Sequence, residues 1–211
     1  MRWTVLVFAL IALGAGACSS PVTPYPFHYL VVGYLKIVAA LADAAGNPLG
    51  VRALYGPDSV KVRLLGTADS TRTVSGQYLF RALNGTYETS AEVAGVPTDS
   101  TRIFQVRDAD QALTDTLVVR RSGDLKAAPN PFTVQTAIAF TLAADANVTI
   151  QISTLAGTRV RTLASRSFTA GPWVLNWDGT DDTAAAVANG WYVATLTTAS
   201  ERRAEVIVKG P

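Results

Sequence analysis

The stretch VKVRL at residues 60–64 decides the fold class of this chain, because apolar and basic side chains alternate in it. Successive side chains of a β-strand point to opposite faces, so the pattern predicts a strand with one buried and one solvated face. The same alternation occurs upstream at residues 35–41. Both stretches therefore predict β-sheet packed on one side against a core.

Turn signals separate this stretch from further short apolar runs. A turn is predicted at residues 43–48, and Asn84-Gly85 is a strong hairpin signal because both residues tolerate positive φ. The other strands predicted in this half lie at residues 78–80, 87–93, 102–107 and 114–120. About seven short strands separated by turns are typical of a β-sandwich, which we place at residues 34–121.

The second half repeats this organisation. Strands are predicted at residues 138–142, 148–152, 159–163, 173–177, 191–197 and 205–209. Turns are predicted at residues 155–158, at Asp178-Gly179 and at Asn189-Gly190, the last again with hairpin chemistry. The expected fold class is therefore all-β, two small tandem β-sandwiches, with Phe140 and Trp177 in the core of the second, at residues 126–211.

The first residues form a secretory signal. Arg2 supplies a positive charge, residues 5–13 are an apolar run, and small residues 14–17 follow. The run is shorter than the roughly 20 apolar residues that a membrane-spanning helix needs. We therefore predict a signal peptide at residues 1–17, removed on maturation.

Cys18 is the only cysteine, so no intrachain disulfide is possible. Residues 15–18, AGAC, resemble the lipobox of bacterial lipoproteins, which implies acylation of the Cys18 thiol. Ser19 after it resembles the outer-membrane default of lipoprotein sorting in Gram-negative bacteria. The resemblance predicts a membrane partner through the lipid and an outer-membrane location in a bacterial cell envelope. The same residues satisfy an ordinary Ala-x-Ala cleavage rule, which leaves an unlipidated exported protein open.

A tether and a balanced charge complete the outline. Residues 18–33 contain the lipidated cysteine and a proline-rich segment, which predicts an extended tether before the first sandwich. The chain has 18 basic and 16 acidic residues, a formal net charge of +2, and no long run of either sign. This balance argues against a nucleic-acid partner.

The second half resembles a known family. The segments PNPF at residues 129–132, WDGTDD at 177–182 and VANGWY at 187–192 carry the likeness. They are similar to the immunoglobulin-like domain of FlgD-type hook-capping proteins and to the related C-terminal sorting domain of type IX secretion cargo. The resemblance implies an immunoglobulin-like sandwich. In the sorting relatives it also implies a secretion address, with residues 206–209 as its basic end.

The first half resembles the carboxypeptidase regulatory-like, transthyretin-type sandwich. The segments LADAAGNPL at residues 41–49, GQYLF at 76–80 and GTY at 85–87 carry this second likeness. It implies an accessory or carbohydrate-facing module.

Catalytic chemistry finds little support in the residue inventory. His28 is the only histidine and lies in the predicted tether, which cannot hold it beside a nucleophile. Asp99, Asp108 and Asp110 lie near strand ends without an implied cleft between paired carboxylates. We therefore expect no enzyme activity and no cofactor.

Three carboxylates form the one metal hypothesis. Asp178, Asp181 and Asp182 lie within five residues on a predicted turn, and Ca²⁺ takes several oxygen ligands from such loops. Asp is also an ordinary turn former, because its side chain bonds nearby backbone groups. The second explanation is favoured, since the spacing lacks the alternate acidic positions of a calcium loop.

Aromatic residues suggest a further class of function. Tyr25, Phe27 and Tyr29, or Trp173 and Trp191, are candidates for stacking on a sugar, although burial in a small core is favoured for the tryptophans. The expected function is a non-catalytic, lipid-anchored structural or interaction protein with an envelope protein or polysaccharide as partner. The alternatives are a type IX-like secretion signal in the second half and a carbohydrate-binding module.

Overall fold

The computed structural model describes residues 28–94, 96–119 and 124–210, with side chains given outside residues 96–100 and 114–119. The described residues form strands, turns and loops, and the strands pair mostly in antiparallel fashion. The all-β prediction is confirmed. The predicted signal peptide, Cys18, Tyr25 and Phe27 lie outside the described residues.

The first unit contains eight strands in two sheets. They are β1 (Tyr29–Ala42), β2 (Pro48–Tyr55), β3 (Lys61–Leu65), β4 (Ser70–Arg72), β5 (Gln77–Ala82), β6 (Gly85–Val93), β7 (Val96–Val106) and β8 (Gln111–Val119). In one sheet, β1 pairs with β5 along its first half and with β2 along its second half, and β8 runs parallel to β1 along the opposite edge. The second sheet has the order β4-β3-β6-β7.

The second unit contains seven strands in two sheets. They are β9 (Lys126–Ala128), β10 (Thr136–Leu142), β11 (Ala146–Thr154), β12 (Arg159–Phe168), β13 (Gly171–Trp177), β14 (Gly190–Thr197) and β15 (Arg202–Lys209). The sheet orders are β13-β10-β9 and β12-β11-β14-β15. All six strands predicted for this half are present.

Alternating burial builds the first core. Val62 and Leu64 of β3 are buried while Arg63 between them is exposed, as the opening pattern predicts. Leu35 and Ile37 of β1 are buried from the other sheet and belong to the same cluster. Each sheet therefore contributes one apolar face to this core.

Aromatic rings fill the second core. Trp177 is fully buried, with its ring centroid 5.2 Å from that of Phe132 and 5.2 Å from that of Tyr192. Phe140 packs edge-to-face on Phe168 at 5.7 Å. The core positions predicted for Trp177 and Phe140 are confirmed, and the indole of Trp177 donates a hydrogen bond to the Thr180 carbonyl at 2.9 Å.

Both hairpins predicted from Asn-Gly pairs are wrong. Strands β5 and β6 flank Asn84-Gly85 but lie in different sheets, so the chain crosses from one sheet to the other there. Strands β13 and β14 flank the loop that contains Asn189-Gly190, and they also lie in different sheets. The Asn84 amide instead donates to the Asp108 carboxylate at 2.6 Å. The turn preference of the dipeptide is local and does not determine which strands pair.

The first strand starts earlier than predicted. Strand β1 begins at Tyr29, so the last five residues of the predicted tether, 29–33, belong to the sheet. Strands β2, β4 and β9 were not predicted, because β4 and β9 have three residues each and β2 shows no alternating burial. The turn predicted at residues 43–48 is confirmed, with the Asp43 carboxylate accepting from the Asn47 amide nitrogens.

Candidate functional site

Two strands of the second unit are buried on both faces, and this burial joins the two units. Ile207 of β15 points into the second core, whereas Val206 and Val208 on its opposite face belong to the first unit's cluster. Strand β14 behaves likewise, with Val193 on the first unit's side and Leu196 on the other. The continuous apolar run of β15 therefore reflects burial between two cores.

Asn130 adds polar contacts to this interface between the two units, which we call the seam. Its side chain is fully buried, and Nδ2 donates to the carbonyls of Ala40 at 2.7 Å and Val206 at 2.9 Å. Its Oδ1 accepts from the Val208 amide at 2.9 Å. The Asn130 backbone also exchanges two hydrogen bonds with Ala42, at 2.8 and 2.9 Å. One residue of the second unit thus joins β1 to β15, with its side-chain groups satisfied.

The three aspartates of the metal hypothesis serve separate local contacts. Asp178 Oδ1 accepts from the Thr180 hydroxyl at 2.7 Å and from Arg161 at 2.8 Å. Asp181 Oδ1 accepts from the Thr183 hydroxyl at 2.7 Å and from two backbone amides. Asp182 Oδ1 accepts from the Thr162 amide of β12 at 2.9 Å. The contacts of Asp178 with Thr180 and of Asp181 are those of turn formation, whereas Arg161 and the Thr162 amide connect the loop to β12.

The same contacts stabilise the ionised carboxylates. The Thr180 hydroxyl, and to a lesser extent Arg161, lower the pKa of Asp178 below its ordinary value. The Thr183 hydroxyl, followed by backbone amides, lowers the pKa of Asp181. Nowhere in residues 28–94, 96–119 and 124–210 do three His, Cys, Asp or Glu side chains gather closely enough to hold one metal ion. The calcium hypothesis therefore stays a prediction without support from this geometry.

The other acidic candidates close the end of the first unit where β1 starts. Asp110 accepts from the Leu30 amide at 2.7 Å, and Asp108 accepts from Asn84 at 2.6 Å. His28 is exposed and directly precedes β1. Asp99 lies in β7, and its side chain is not among those described. The described carboxylates therefore tie loops to β1 and do not face each other across a cleft.

The tryptophan candidates pack against protein. Trp173 lies half-buried against Phe168, with ring centroids 4.9 Å apart, and its indole donates to the Thr169 carbonyl at 2.9 Å. Trp191 is half-buried against the first unit's core. Tyr29 starts β1 and also packs on that core. Both tryptophans therefore pack half-buried against a core, which is the explanation that the sequence favours for them.

A broad apolar surface lies on the outward side of strands β1, β2 and β5, and we call it the apolar face. Its most exposed members are Tyr34, Leu49, Val51, Tyr55 and Leu79. They are neighbours in the sheet, because Val51 pairs with Ala40, Tyr55 with Lys36 and Leu79 with Val32. Exposed apolar patches of this kind mark interaction sites.

The apolar face continues into a groove of about 470 Å³ between the two units. The β1–β2 turn forms one wall, and the outward side of β9, β10 and β13 forms the other. Most of its lining residues are alanines, and the exposed Val174 and Lys126 lie in the second wall, where both pair with Ala139. Glu205, which is only 2% exposed, also lines it. The chemistry of this lining suits contact with an apolar partner.

The seam and the apolar face were not predicted from the sequence. A signal for the face exists in β1, whose residues YLVVGYLKIVAALA are apolar at both alternate sets of positions. Such a run indicates a strand covered on both sides. In the structure, the set of positions that includes Leu35 and Ile37 is buried, whereas Tyr34, which belongs to the alternate set, is exposed.

Comparisons with known proteins bear on the second unit. The FlgD Ig-like domain family matches residues 130–202, which lie within this unit and make up less than half of the chain. The immunoglobulin-like resemblance of the second half is therefore confirmed. No curated protein matches the chain at a significant level.

Solved structures show only distant similarity. A Bacteroides uniformis protein named a "putative carbohydrate binding protein" is 15% identical, with 85% of this chain and 100% of that chain covered and a TM-score of 0.33. A DUF3823 family protein from Bacteroides ovatus is 14% identical, with 83% and 97% covered and a TM-score of 0.32. A DUF3823 family protein from Parabacteroides merdae is 13% identical, with 84% and 99% covered and a TM-score of 0.30.

Proposed function

We propose that this chain is a non-catalytic, lipid-anchored protein of a bacterial cell envelope that holds two β-sandwich units together as one interaction body. The seam built by Asn130 and β15 is the observation that carries the proposal. Flexibly linked modules need few contacts between them, whereas these two units share a hydrophobic cluster and the buried hydrogen bonds of Asn130. The contacts suit a protein whose role is to present a fixed surface.

The position of β1 supports an anchored role. Its first residue, Tyr29, lies in the predicted tether, eleven positions after Cys18, and its last residue, Ala42, is hydrogen-bonded to Asn130 of the second unit. A single strand of 14 residues therefore connects the anchored end of the chain to the second unit. Within the described ranges no helix has the length and apolar character that would cross a bilayer, and the proposed attachment is the acyl group on Cys18.

The absence of enzyme activity is part of the proposal. Among the described side chains, Asp108 and Asp110 bond loops and β1, and Asp178 and Asp181 bond their own turns. Catalysis by acid–base or nucleophilic groups needs side chains that converge on a shared reacting position. These carboxylates have local structural partners instead.

The anchor is tested by intact mass and fractionation of the exported protein, wild type beside Cys18→Ser. We expect the wild-type chain to begin at Cys18, to carry added acyl mass and to sediment with membranes, because two or more acyl chains make anchoring stable. The Cys18→Ser protein loses the added mass and leaves the membrane fraction. A wild-type protein that is exported without acyl mass would contradict the anchor and favour Ala-x-Ala cleavage.

The secretion-signal alternative stays a prediction, and it needs a different test from a C-terminal truncation. Residues Val206 to Lys209 lie within β15, and the three apolar ones belong to the two cores. Deleting them would unfold the protein whether or not they act as an address. The substitution Lys209→Gln removes the basic end and keeps the strand, so an unchanged location would count against the sorting role.

A further inference from the structure

The apolar face lacks a cover within the described part of the chain. Val51 is 70% exposed and Tyr55 is 73% exposed, although both belong to a paired strand next to the long strand β1. Strand β15 also has apolar residues on both sides, and both of its sides are buried. The contrast indicates that β1 and β2 present their second face to a partner.

The charges around this face indicate which partner it fits. Strands β1, β2 and β5 form the apolar face, and none of them contains Asp or Glu. The adjoining groove is lined by Lys126 and by the buried Glu205. Lys36 and Arg81 lie on the outward side of this sheet, because Lys36 pairs with Tyr55 and Arg81 with Leu30. Arg52 pairs with the buried Ala39 and lies on the other side. The charged side chains on the outward side of β1, β2 and β5 are therefore both basic, Lys36 and Arg81.

Within the apolar face, aliphatic, tyrosine and basic groups lie side by side. Leu49, Val51 and Leu79 are the exposed aliphatic residues, and Lys36 Nζ lies 5.7 Å from the ring centroid of Tyr55. The Tyr34 hydroxyl accepts a hydrogen bond from Gln77 at 3.0 Å. Aliphatic groups enter the boundary between headgroups and acyl chains, tyrosines favour the headgroup level, and basic groups bind anionic headgroups.

We propose that the apolar face docks on an anionic lipid bilayer, so that strands β1 and β2 lie along the membrane surface. The inference draws on the proposed lipid anchor only for orientation. Nine residues lie between Cys18 and His28, and the ten steps from one to the other span at most about 35 Å when extended. The acylated chain is therefore short enough to keep the face beside the bilayer that holds the lipid.

The test uses the mature chain from residue 18 with Cys18→Ser, which carries no acyl group. It is mixed with vesicles of phosphatidylglycerol alone or of phosphatidylcholine alone, and the bound fraction is measured by co-sedimentation. We expect binding to the phosphatidylglycerol vesicles that weakens as salt is added. Val51→Ser lowers the partition coefficient about five- to ten-fold through lost apolar burial, and Lys36→Gln lowers it about five-fold on the anionic vesicles alone.

Matched controls separate this face from general stickiness. Ile103 of β7, in the other sheet, is 68% exposed, which is similar to the 70% of Val51. We expect Ile103→Ser to leave binding unchanged. Lys61→Gln on β3 is the corresponding control for Lys36→Gln. Equal losses for Val51→Ser and Ile103→Ser would overturn the proposal, and so would an absence of binding to phosphatidylglycerol.

Other occupants of the face have distinct signatures in the same experiment. A wild-type dimer that Val51→Ser converts to a monomer, without vesicle binding, would assign the face to a second copy and overturn the proposal. Retention on a polysaccharide that Tyr34→Ala abolishes, without vesicle binding, would assign it to a glycan and also overturn it. Because the assayed chain has no acyl group, failure here leaves the mass test of the Cys18 anchor unaffected.

Discussion

The side-chain nitrogen of Asn130 donates a hydrogen bond to the carbonyl of Ala40 across a distance of 2.7 Å, and this bond joins the second unit to the longest strand of the first. The same side chain bonds both Val206 and Val208 of β15. Three backbone groups from two units therefore depend on one buried amide. A buried group left without its partner costs more than the bond itself contributes, so this amide is the most sensitive polar position of the seam.

We expect Asn130→Ala to lower the free energy of unfolding by about 2 to 4 kcal/mol, because the Val208 amide and two carbonyls lose their buried partner. Chemical denaturation of both proteins measures the difference. Asn176→Ala on β13 is the control, since Asn176 is exposed, and it leaves the stability nearly unchanged. Equal effects of the two substitutions would contradict the role given to Asn130.

Val208→Ala tests the apolar part of the seam. Val208 is 2% exposed and packs in the first unit's cluster although it belongs to the second. We expect a loss of about 1 to 3 kcal/mol from removed burial and the cavity that remains. Hydrogen exchange should accelerate at β1 near Ala40 as well as at β15. Acceleration confined to the second unit would show that Val208 does not support the first.

Acidification should weaken the contribution of the Asp181 turn to the stability of the fold. Hydrogen bonds, with the Thr183 hydroxyl first, place the folded pKa of Asp181 below its unfolded value of about 3.9. The turn's contribution is therefore complete above the unfolded pKa and is lost as the pH falls through the folded pKa. We expect the stability difference between wild type and Thr183→Val to narrow on acidification. The control Thr141→Val, on an exposed residue of β10, should show a constant difference.

Calcium addition tests the remaining metal hypothesis for Asp178, Asp181 and Asp182. The contacts with Thr180 and Thr183, and the contact of Asp182 with the Thr162 amide of β12, already occupy one oxygen of each carboxylate. We expect the melting temperature to stay the same when calcium is added and when a chelator removes it. A rise with calcium that Asp182→Asn abolishes would restore the metal explanation, because a bound ligand stabilises the folded state.

The regular alternation of apolar and polar residues allowed most strands to be predicted, whereas the pairing of strands and the contacts between the two units were not predicted. The VKVRL stretch at residues 60–64 shows its buried and exposed faces directly in the sequence. Asn84-Gly85 shows only a local backbone preference, and the two strands beside it pair elsewhere. The apolar run of β15 looks like any buried strand until the first unit is seen against it. The apolar residues of β1 likewise indicate two covered faces but do not reveal what covers the second.

The most direct test of the shared seam is whether the two units unfold together. Hydrogen exchange with mass detection, measured across a denaturant series, reports on β3 in the first unit and on β11 in the second. We expect one common midpoint for both strands in the wild type and separate midpoints in Asn130→Ala, since cooperativity depends on the contacts between the units. Two separate midpoints in the wild type would show that the sandwiches are independent modules, and would contradict the account of one joined body.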